Sequence, residues 1–113
     1  VMLNHYPFFD HDDPTRSLTR GDALMARLRD DPRICLYLHG HTHRHIIADV
    51  QPSGLPIVLD SGSVAHQGRA SWHLIDLDET GCLVTAYRWQ EERWQATEPR
   101  RLLWNRKERT RLV

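Results

Sequence analysis

The chain has 113 residues, of which 40% are apolar, and its 15 Lys and Arg residues balance its 15 Asp and Glu residues. This neutral balance argues against a nucleic-acid binder that works through bulk positive charge and against an acidic disordered tail. No apolar run approaches the ~20 residues of a membrane span, and two cysteines are too few for a disulfide scaffold. We therefore expect a cytoplasmic protein, and the length predicts one domain or a piece of one.

The order of polar and apolar residues predicts one helix among several short strands. Residues 1–4 are apolar and end abruptly, which indicates a buried strand already under way and a chain that is the C-terminal part of a longer protein. Leu24, Met25 and Leu28 follow helical spacing and predict a helix over about residues 20–29. The strands predicted after it cover residues 34–38, 46–50, 56–60, 71–77 and 82–89.

The strand patterns also indicate how the strands are buried. Residues 34–38 form a continuous apolar run, which suits a strand covered on both faces. Residues 71–77 and 82–89 are predicted to form a hairpin. In its second strand, alternate residues would lie on one face, as in a half-buried strand: Leu83, Thr85, Tyr87 and Trp89. From Glu91 onward basic residues outnumber acidic ones. This tail is interpreted as a solvated basic extension whose apolar residues pack back as a peripheral strand or helix: Trp94, Leu102, Leu103 and Trp104.

Histidines are concentrated directly after the buried run of residues 34–38. Imidazole is the commonest metal ligand in proteins, and His41 and His43 are separated by one residue. In an extended segment they would point to the same side, with Cα atoms ~6.5 Å apart, which suits either one ion or two neighbouring ions. Gly40 would let the backbone turn sharply there. His39 and His45 are predicted to be mainly structural, and an HxH pair that is only a surface feature or a weak adventitious site stays an alternative.

Three segments together resemble the motifs of the calcineurin-like metallophosphoesterases. Residues 38–43, Leu-His-Gly-His-Thr-His, resemble the GHxH motif of that family. Residues 1–7 resemble its hydrophobic strand that ends in histidine and proline, and residues 59–63 resemble its Asn-x-Gly-Ser turn, with Asp60 in the place of the usual Asn. The order of the three segments also agrees with that family, and the resemblance covers about residues 1–90.

The resemblance implies both a fold and a chemistry. The fold would be α+β, part of a four-layer α/β/β/α sandwich that is mostly β in this segment, with one clear helix. Residues 1–90 would be the C-terminal half of that domain and residues 91–113 a basic extension. The centre would hold two divalent ions, Mn, Fe or Zn, with His5 and His41 on one ion and His43 on the other. The activity implied is hydrolysis of phosphate mono- or diesters.

The other motifs of that family, Asp-x-His, Gly-Asp-x-x-Asp and Gly-Asn-His-Asp/Glu, have no counterpart in these residues. No carboxylate ligand and no catalytic residue can therefore be assigned, and we expect the isolated chain to bind metal weakly and to hydrolyse little. A longer parent would be the enzyme, acting on a phosphorylated small molecule or macromolecule, whereas nucleic acid is not indicated as a partner. The alternatives are a non-catalytic binding or scaffold module of the same fold, and a mononuclear histidine site in an unrelated β-rich domain.

The remaining polar clusters have simpler interpretations. The paired N–H groups of an arginine side chain match the oxygens of a phosphate group. Three arginines could contact a substrate phosphate, namely Arg16, Arg20 and Arg44, and Arg44 is favoured because it directly follows the histidine loop. The acidic stretch 10–13 is predicted to be a solvated loop rather than a cation site. The serines of residues 61–63 lack the GxSxG elbow of a nucleophile, so a turn explains them better.

Overall fold

A computed structural model describes residues 1–8, 19–65 and 68–105. These residues form two four-stranded sheets and one α-helix, α1, over Gly21–Asp30, besides a short 3-10 turn at Gln51–Ser53. The strands are β1 Met2–Leu3, β2 Leu36–His39, β3 His45–Asp49, β4 Ile57–Ser61, β5 Ser71–Leu77, β6 Gly81–Gln90, β7 Arg93–Ala96 and β8 Arg100–Leu103. Helix α1 and the strands that correspond to the five predicted ones lie within two residues of their predicted ends.

The first sheet has the strand order β1-β2-β4-β3. Strands β1, β2 and β4 run parallel, and β3 is antiparallel to β4. The carboxyl ends of the three parallel strands therefore meet at one edge, where functional sites of layered α/β proteins tend to lie. Leu36 is 1% exposed on one face of β2 and Tyr37 is 0% exposed on the other, so the predicted burial on both faces is confirmed.

Helix α1 covers one face of the first sheet. Its Leu28 is fully buried in a cluster with Tyr37 and Val58 from β2 and β4. Asp22 in the first turn and arginines in the last turn complement the helix dipole. The helix begins at a glycine because a Cβ at Gly21 would lie 2.2 Å from the backbone oxygen of Phe8.

The second sheet is built on the predicted hairpin of β5 and β6. Its strand β6 buries small side chains against the other sheet, namely Cys82, Val84 and Ala86. The strand is half-buried, as the sequence predicted, and the alternate residues singled out there lie on its less buried face, where the Tyr87 ring stacks on Trp72 at 4.2 Å between centroids. The aromatic side chains of this strand thus lie on its outer face, because they satisfy each other by stacking there while the tight contact between sheets takes smaller residues.

The two sheets pack face to face. Leu36, Ile57 and Leu59 of the first sheet form one buried cluster with side chains of the second: Cys82, Val84 and Leu102. The described residues therefore supply a helix layer, a sheet layer and a second sheet layer. Within this part of the chain, no helix is long or apolar enough to cross a membrane.

Residues beyond Gln90 take part in the second sheet. Strand β7 pairs with one end of β6 and β8 with the other end. Leu102 is buried and Trp104 packs against the same core, whereas Leu103 is 60% exposed. The predicted boundary at residue 90 falls between two paired strands and stays a prediction, and residues 106–113 lie outside the described ranges.

Candidate metal centre

Two of the predicted ligands meet at the carboxyl edge of the first sheet. His5 follows β1 by two residues and His41 follows β2 by two residues, and β1 and β2 are parallel neighbours. The His5 Nε2 and His41 Nδ1 atoms lie 3.2 Å apart. The ring of Tyr6 packs against both imidazoles, with centroids 4.9 Å from His5 and 4.6 Å from His41.

The spacing of these two nitrogens fits a common metal ion. Two nitrogens about 2.1 Å from one zinc ion subtend about 100° at the ion when they lie 3.2 Å apart, which is close to a tetrahedral angle. His5 is exposed and His41 is half-buried, so the pair is open to solvent on one side. Neutral imidazole lone pairs are suitable donors for the divalent ions expected here.

The histidine loop itself is not extended. His41 has φ 72° and His43 has φ 59°, both in the left-handed region that non-glycine residues rarely adopt. The expectation that the two side chains point to the same side of an extended segment is therefore wrong for this loop. The turn does not require a glycine at position 40, because Gly40 is not in the left-handed region and a Cβ there would meet only the His5 backbone oxygen at an ordinary 3.9 Å.

His43 lies apart from the His5–His41 pair. It lines a cavity of about 280 Å³, whose lining includes neither His5 nor His41. Within residues 1–8, 19–65 and 68–105, no three His, Cys, Asp or Glu side chains are grouped closely enough to hold a metal ion. The described residues thus contain a two-histidine pair, and the assignment of His43 to a second ion stays a prediction.

A buried carboxylate anchors the histidine loop between β2 and β3. Asp60, at the end of β4, is 0% exposed. It accepts hydrogen bonds from the Thr42 hydroxyl and from the Gly62 backbone N–H, the latter at 2.9 Å. The Thr42 hydroxyl in turn accepts a hydrogen bond from the Arg44 backbone N–H at 3.2 Å. Asp60 therefore ties the loop after β2 to the turn after β4.

The two flanking histidines have structural contacts, as the sequence predicted. The Nδ1–H of His39 donates to the Gly40 carbonyl at 2.9 Å and lies 3.5 Å from the Asp60 carboxylate. His45 begins β3 and packs edge to face on His73 of β5, with centroids 4.6 Å apart. Burial lowers the pKa of His45, and it lowers the pKa of His73 to about 4, so both imidazoles are neutral near pH 7.

Tyr37 supports the segment that carries His5. Its hydroxyl donates to the Tyr6 carbonyl at 2.8 Å, and its ring is fully buried beneath that segment. Burial raises the pKa of Tyr37 to about 12, so the hydroxyl stays protonated and keeps donating. The side chain of a core residue thus fixes the backbone next to a candidate ligand.

The other sequence candidates divide into three groups. Arg44 lines the same cavity as His43, whereas Arg20 precedes α1 in a left-handed conformation. The serines of residues 61–63 form the predicted turn, in which the Ser61 carbonyl accepts a hydrogen bond from Ser71 at 2.6 Å. Arg16 and the acidic stretch 10–13 lie outside the described residues.

Sequence reasoning missed the tie between Asp60 and Thr42. One signal was available, because Asp60 ends a strand of otherwise apolar residues and a charged side chain at such a position needs partners. The His45–His73 contact had no such signal, since it depends on how the two sheets pack. The tie between Asp60 and Thr42 supports the loop rather than adding a ligand to it.

Comparisons with known proteins place this geometry in a known fold. Neither a protein-family model nor a curated protein matches the chain. Solved structures of Vps29 do match. The structure from Chaetomium thermophilum has TM-score 0.55 and 12% identity, over 90% of this chain and 51% of its own. That from Cryptosporidium parvum has TM-score 0.54 and 15% identity, over 81% and 45%.

A third match is Vps29 from Entamoeba histolytica complexed with zinc, with TM-score 0.51 and 18% identity over 84% of this chain and 52% of its own. These Vps29 structures have the metallophosphoesterase fold. The described residues form part of this fold. At such low identity the likeness concerns the fold alone, and the chain spans about half the length of the structures it matches.

Proposed function

We propose that this chain is a metal-binding module of the metallophosphoesterase fold that does not hydrolyse phosphate esters by itself. In this proposal His5 and His41 hold one divalent ion and His43 belongs to a second site. The single observation that carries it is the 3.2 Å separation of the His5 Nε2 and His41 Nδ1 atoms at adjacent strand ends.

The ligand set explains why binding is proposed without turnover. A divalent ion held by these imidazoles would supply Lewis acidity toward phosphoryl oxygens. Within the described residues, no carboxylate joins the His5–His41 pair. Imidazoles alone leave the full charge of the ion uncompensated, and such a two-ligand site holds its ion weakly. A non-catalytic binding role therefore agrees better with this chain than an enzyme complete in itself, and a cytoplasmic location is part of the same proposal.

Metal titration of the 113-residue chain tests this proposal. Calorimetry with Zn²⁺ or Mn²⁺ on metal-stripped protein should show binding that His41→Ala weakens by about ten-fold or more, since one of two ligands is lost. His73→Gln is the matched control, because it removes an imidazole on β5 of the second sheet whose ring packs on His45. Equal affinity of the wild type and His41→Ala would overturn the proposal, as would an equal loss in His73→Gln with its fold intact.

A second candidate function is hydrolysis by a polypeptide that supplies the rest of the fold. The observation that favours it is the pair of left-handed histidines, His41 and His43, because backbone strain of this kind clusters at catalytic and ligand sites. Its substrate would be a phosphorylated small molecule or macromolecule. The test is release of the aryl alcohol from an aryl phosphate with added divalent metal. Turnover by a longer protein, lost in His41→Ala, supports this second function, and turnover by the 113-residue chain alone contradicts the first proposal.

A further inference from the structure

Strand β3 lies at an open edge of the first sheet. Within the part of the chain that the structure describes, β3 has one neighbouring strand, β4, along its whole length from His45 to Asp49. The pairing is continuous over these residues, with no bulge that would twist the edge away. The strand contains no lysine, proline or glycine, and its one acidic or basic residue besides histidine is Asp49 at its end. It therefore lacks the lysine, proline and bulge by which many proteins protect a sheet edge from pairing with another strand.

The hydrogen bonds of β4 show which backbone groups of β3 face that edge. The Ile57 N–H donates to the Cys35 carbonyl at 3.1 Å, on the side of β2. Backbone groups of successive residues point to opposite sides of a strand, so those of Val58 point to β3 and those of its partner Ala48 point to β4. Three residues of β3 therefore direct their N–H and C=O groups away from β4: His45, Ile47 and Asp49. Among the described residues, none donates to or accepts from these outward backbone groups.

The face of β3 on the side of α1 is apolar and only partly covered. Ile46 and Ala48 of β3 and the following Val50 are half-buried and line a cavity of about 560 Å³. Met25 of α1 also lines it, so the cavity lies between the helix and the edge strand. A strand added beside β3 would extend this apolar wall and remove part of it from water, which favours association.

The sequence of β3 is complementary to itself when two copies run antiparallel. A register centred on Ile47 places Ile46 opposite the partner's Ala48, so that apolar side chains meet on the helix side. It also places His45 opposite the partner's Asp49, so that each carboxylate meets an imidazole rather than a second carboxylate. The three facing pairs with outward backbone groups would each exchange two hydrogen bonds. The formal net charge of the chain is zero, so two copies have no overall repulsion to overcome.

We propose that two copies of this chain associate through β3, antiparallel and in the register centred on Ile47, and so join their first sheets into one continuous sheet across a two-fold axis. This dimer does not depend on the proposed metal binding, because the edge of β3 needs no ion to pair. A two-fold contact uses the same edge in both copies, so association through β3 stops at the dimer. A pair of five-residue strands is small beside a standard protein interface, so we expect dimers at ~100 µM protein rather than at nanomolar concentrations.

Analytical ultracentrifugation of the 113-residue chain in EDTA, from about 5 to about 500 µM, measures the association. Asp49→Pro removes an outward N–H and leaves the hydrogen bonds between β3 and β4 in place, so it should weaken dimerisation by about ten-fold or more. The matched control is Ala96→Pro at the exposed end of β7. The N–H of Ala96 also points away from its neighbouring strand, because the next residue, Thr97, donates to Ala86 of β6. Dimerisation of this control should stay within about two-fold of wild type.

Cysteine cross-linking tests the register without a proline. In the proposed dimer, residues 46 and 48 of the two copies form a non-hydrogen-bonded pair with Cα atoms about 4.5 Å apart, which is within the range of a disulfide. An equal mixture of Ile46→Cys and Ala48→Cys chains should therefore give a disulfide-linked dimer in oxidised glutathione. Either variant alone should give much less. The single variants are matched controls, because each also carries Cys35 and Cys82.

Each outcome decides for or against the β3 dimer. A dimer that forms in EDTA, that Asp49→Pro weakens and Ala96→Pro does not, supports it, as does a disulfide specific to the mixture. A chain that stays monomeric at the highest concentration overturns it and leaves a strand of another protein as the occupant of this edge. Equal weakening by both proline variants, or equal cross-linking of the single variants and the mixture, also overturns it. A dimer that appears only with added divalent metal would be bridged by the ion and would contradict pairing through β3.

Discussion

Replacing Asp60 by alanine should destabilise the fold and loosen the histidine loop together. The carboxylate is 0% exposed and accepts hydrogen bonds from the Thr42 hydroxyl and the Gly62 N–H. It also lies 3.5 Å from His39 Nδ1. Alanine removes the acceptor and leaves the Thr42 hydroxyl, which is 5% exposed, without its strongest partner.

The magnitude follows from those contacts. A hydrogen bond to a charged group contributes about 1.5–3 kcal/mol, and a buried group left unsatisfied costs about 1–3 kcal/mol. The gain from no longer burying a carboxylate offsets part of this loss. We therefore expect Asp60→Ala to lower the free energy of unfolding by about 2–4 kcal/mol. Asp60→Asn keeps the volume and one acceptor, and its amide can donate to Thr42, so its cost should be only about 1 kcal/mol.

Urea unfolding followed by circular dichroism measures both variants. The free energy of unfolding should order as wild type, Asp60→Asn and Asp60→Ala, with an unchanged dependence on urea. Asp76→Ala, which removes an exposed carboxylate on β5, is the control and should stay within about 0.5 kcal/mol of wild type. If Asp60→Ala matched this control, or if Asn were as harmful as Ala, the hydrogen-bonded anchor would not be what stabilises the loop.

Three further outcomes follow from individual contacts. His73 is half-buried with its ring nitrogens shielded from solvent, and its pKa is lowered to about 4, so the stability it confers as a neutral imidazole is complete above about pH 6.5 and decreases as the pH falls toward 4. Urea midpoints across that range should therefore decrease less for His73→Gln than for wild type. Gly62→Ala should lower the free energy of unfolding, measured in urea, by at least about 2 kcal/mol, because φ is 78° and a Cβ would lie 2.3 Å from the Ser71 hydroxyl. Gly68 has a similar φ of 76° but open space around it, so Gly68→Ala should lower that free energy by only about 1 kcal/mol. Tyr37→Phe leaves the Tyr6 carbonyl without its hydrogen-bond donor, so it should lower the free energy of unfolding by about 1–2 kcal/mol and weaken the metal binding measured by calorimetry. Unchanged metal affinity in this variant would refute the link between the Tyr37 hydroxyl and the position of His5.

The elements of the fold could be predicted where local pattern decides them. Helix α1 has three apolar residues at helical spacing, and β2 and β4 are continuous apolar runs. Their positions agree with the structure because helix and strand periods are local properties. Which face of β6 is buried could not be inferred in the same way. Its aromatic residues look like the buried face, yet Cys82 and Ala86 face the core, since the sheet-to-sheet contact decides which volumes fit.

The candidate site was predictable only in part, for a similar reason. The family resemblance implied that His5 and His41 lie together, and the two nitrogens do lie 3.2 Å apart, because β1 and β2 are parallel neighbours in the structure. The conformation between His41 and His43 depends instead on a hydrogen bond from Thr42 to a residue on another strand. No spacing rule within the loop contains that information.

The left-handed histidines and the buried anchor belong to one physical arrangement. A non-glycine residue with positive φ costs about 1–2 kcal/mol, and two of them flank Thr42. Such a conformation persists only when the surroundings fix it, and the Thr42–Asp60 hydrogen bond fixes its centre. The loop would therefore need little further ordering if it bound the ion proposed above. A ligand site whose geometry exists beforehand loses less entropy on binding, which would compensate in part for the small number of donors in the His5–His41 pair.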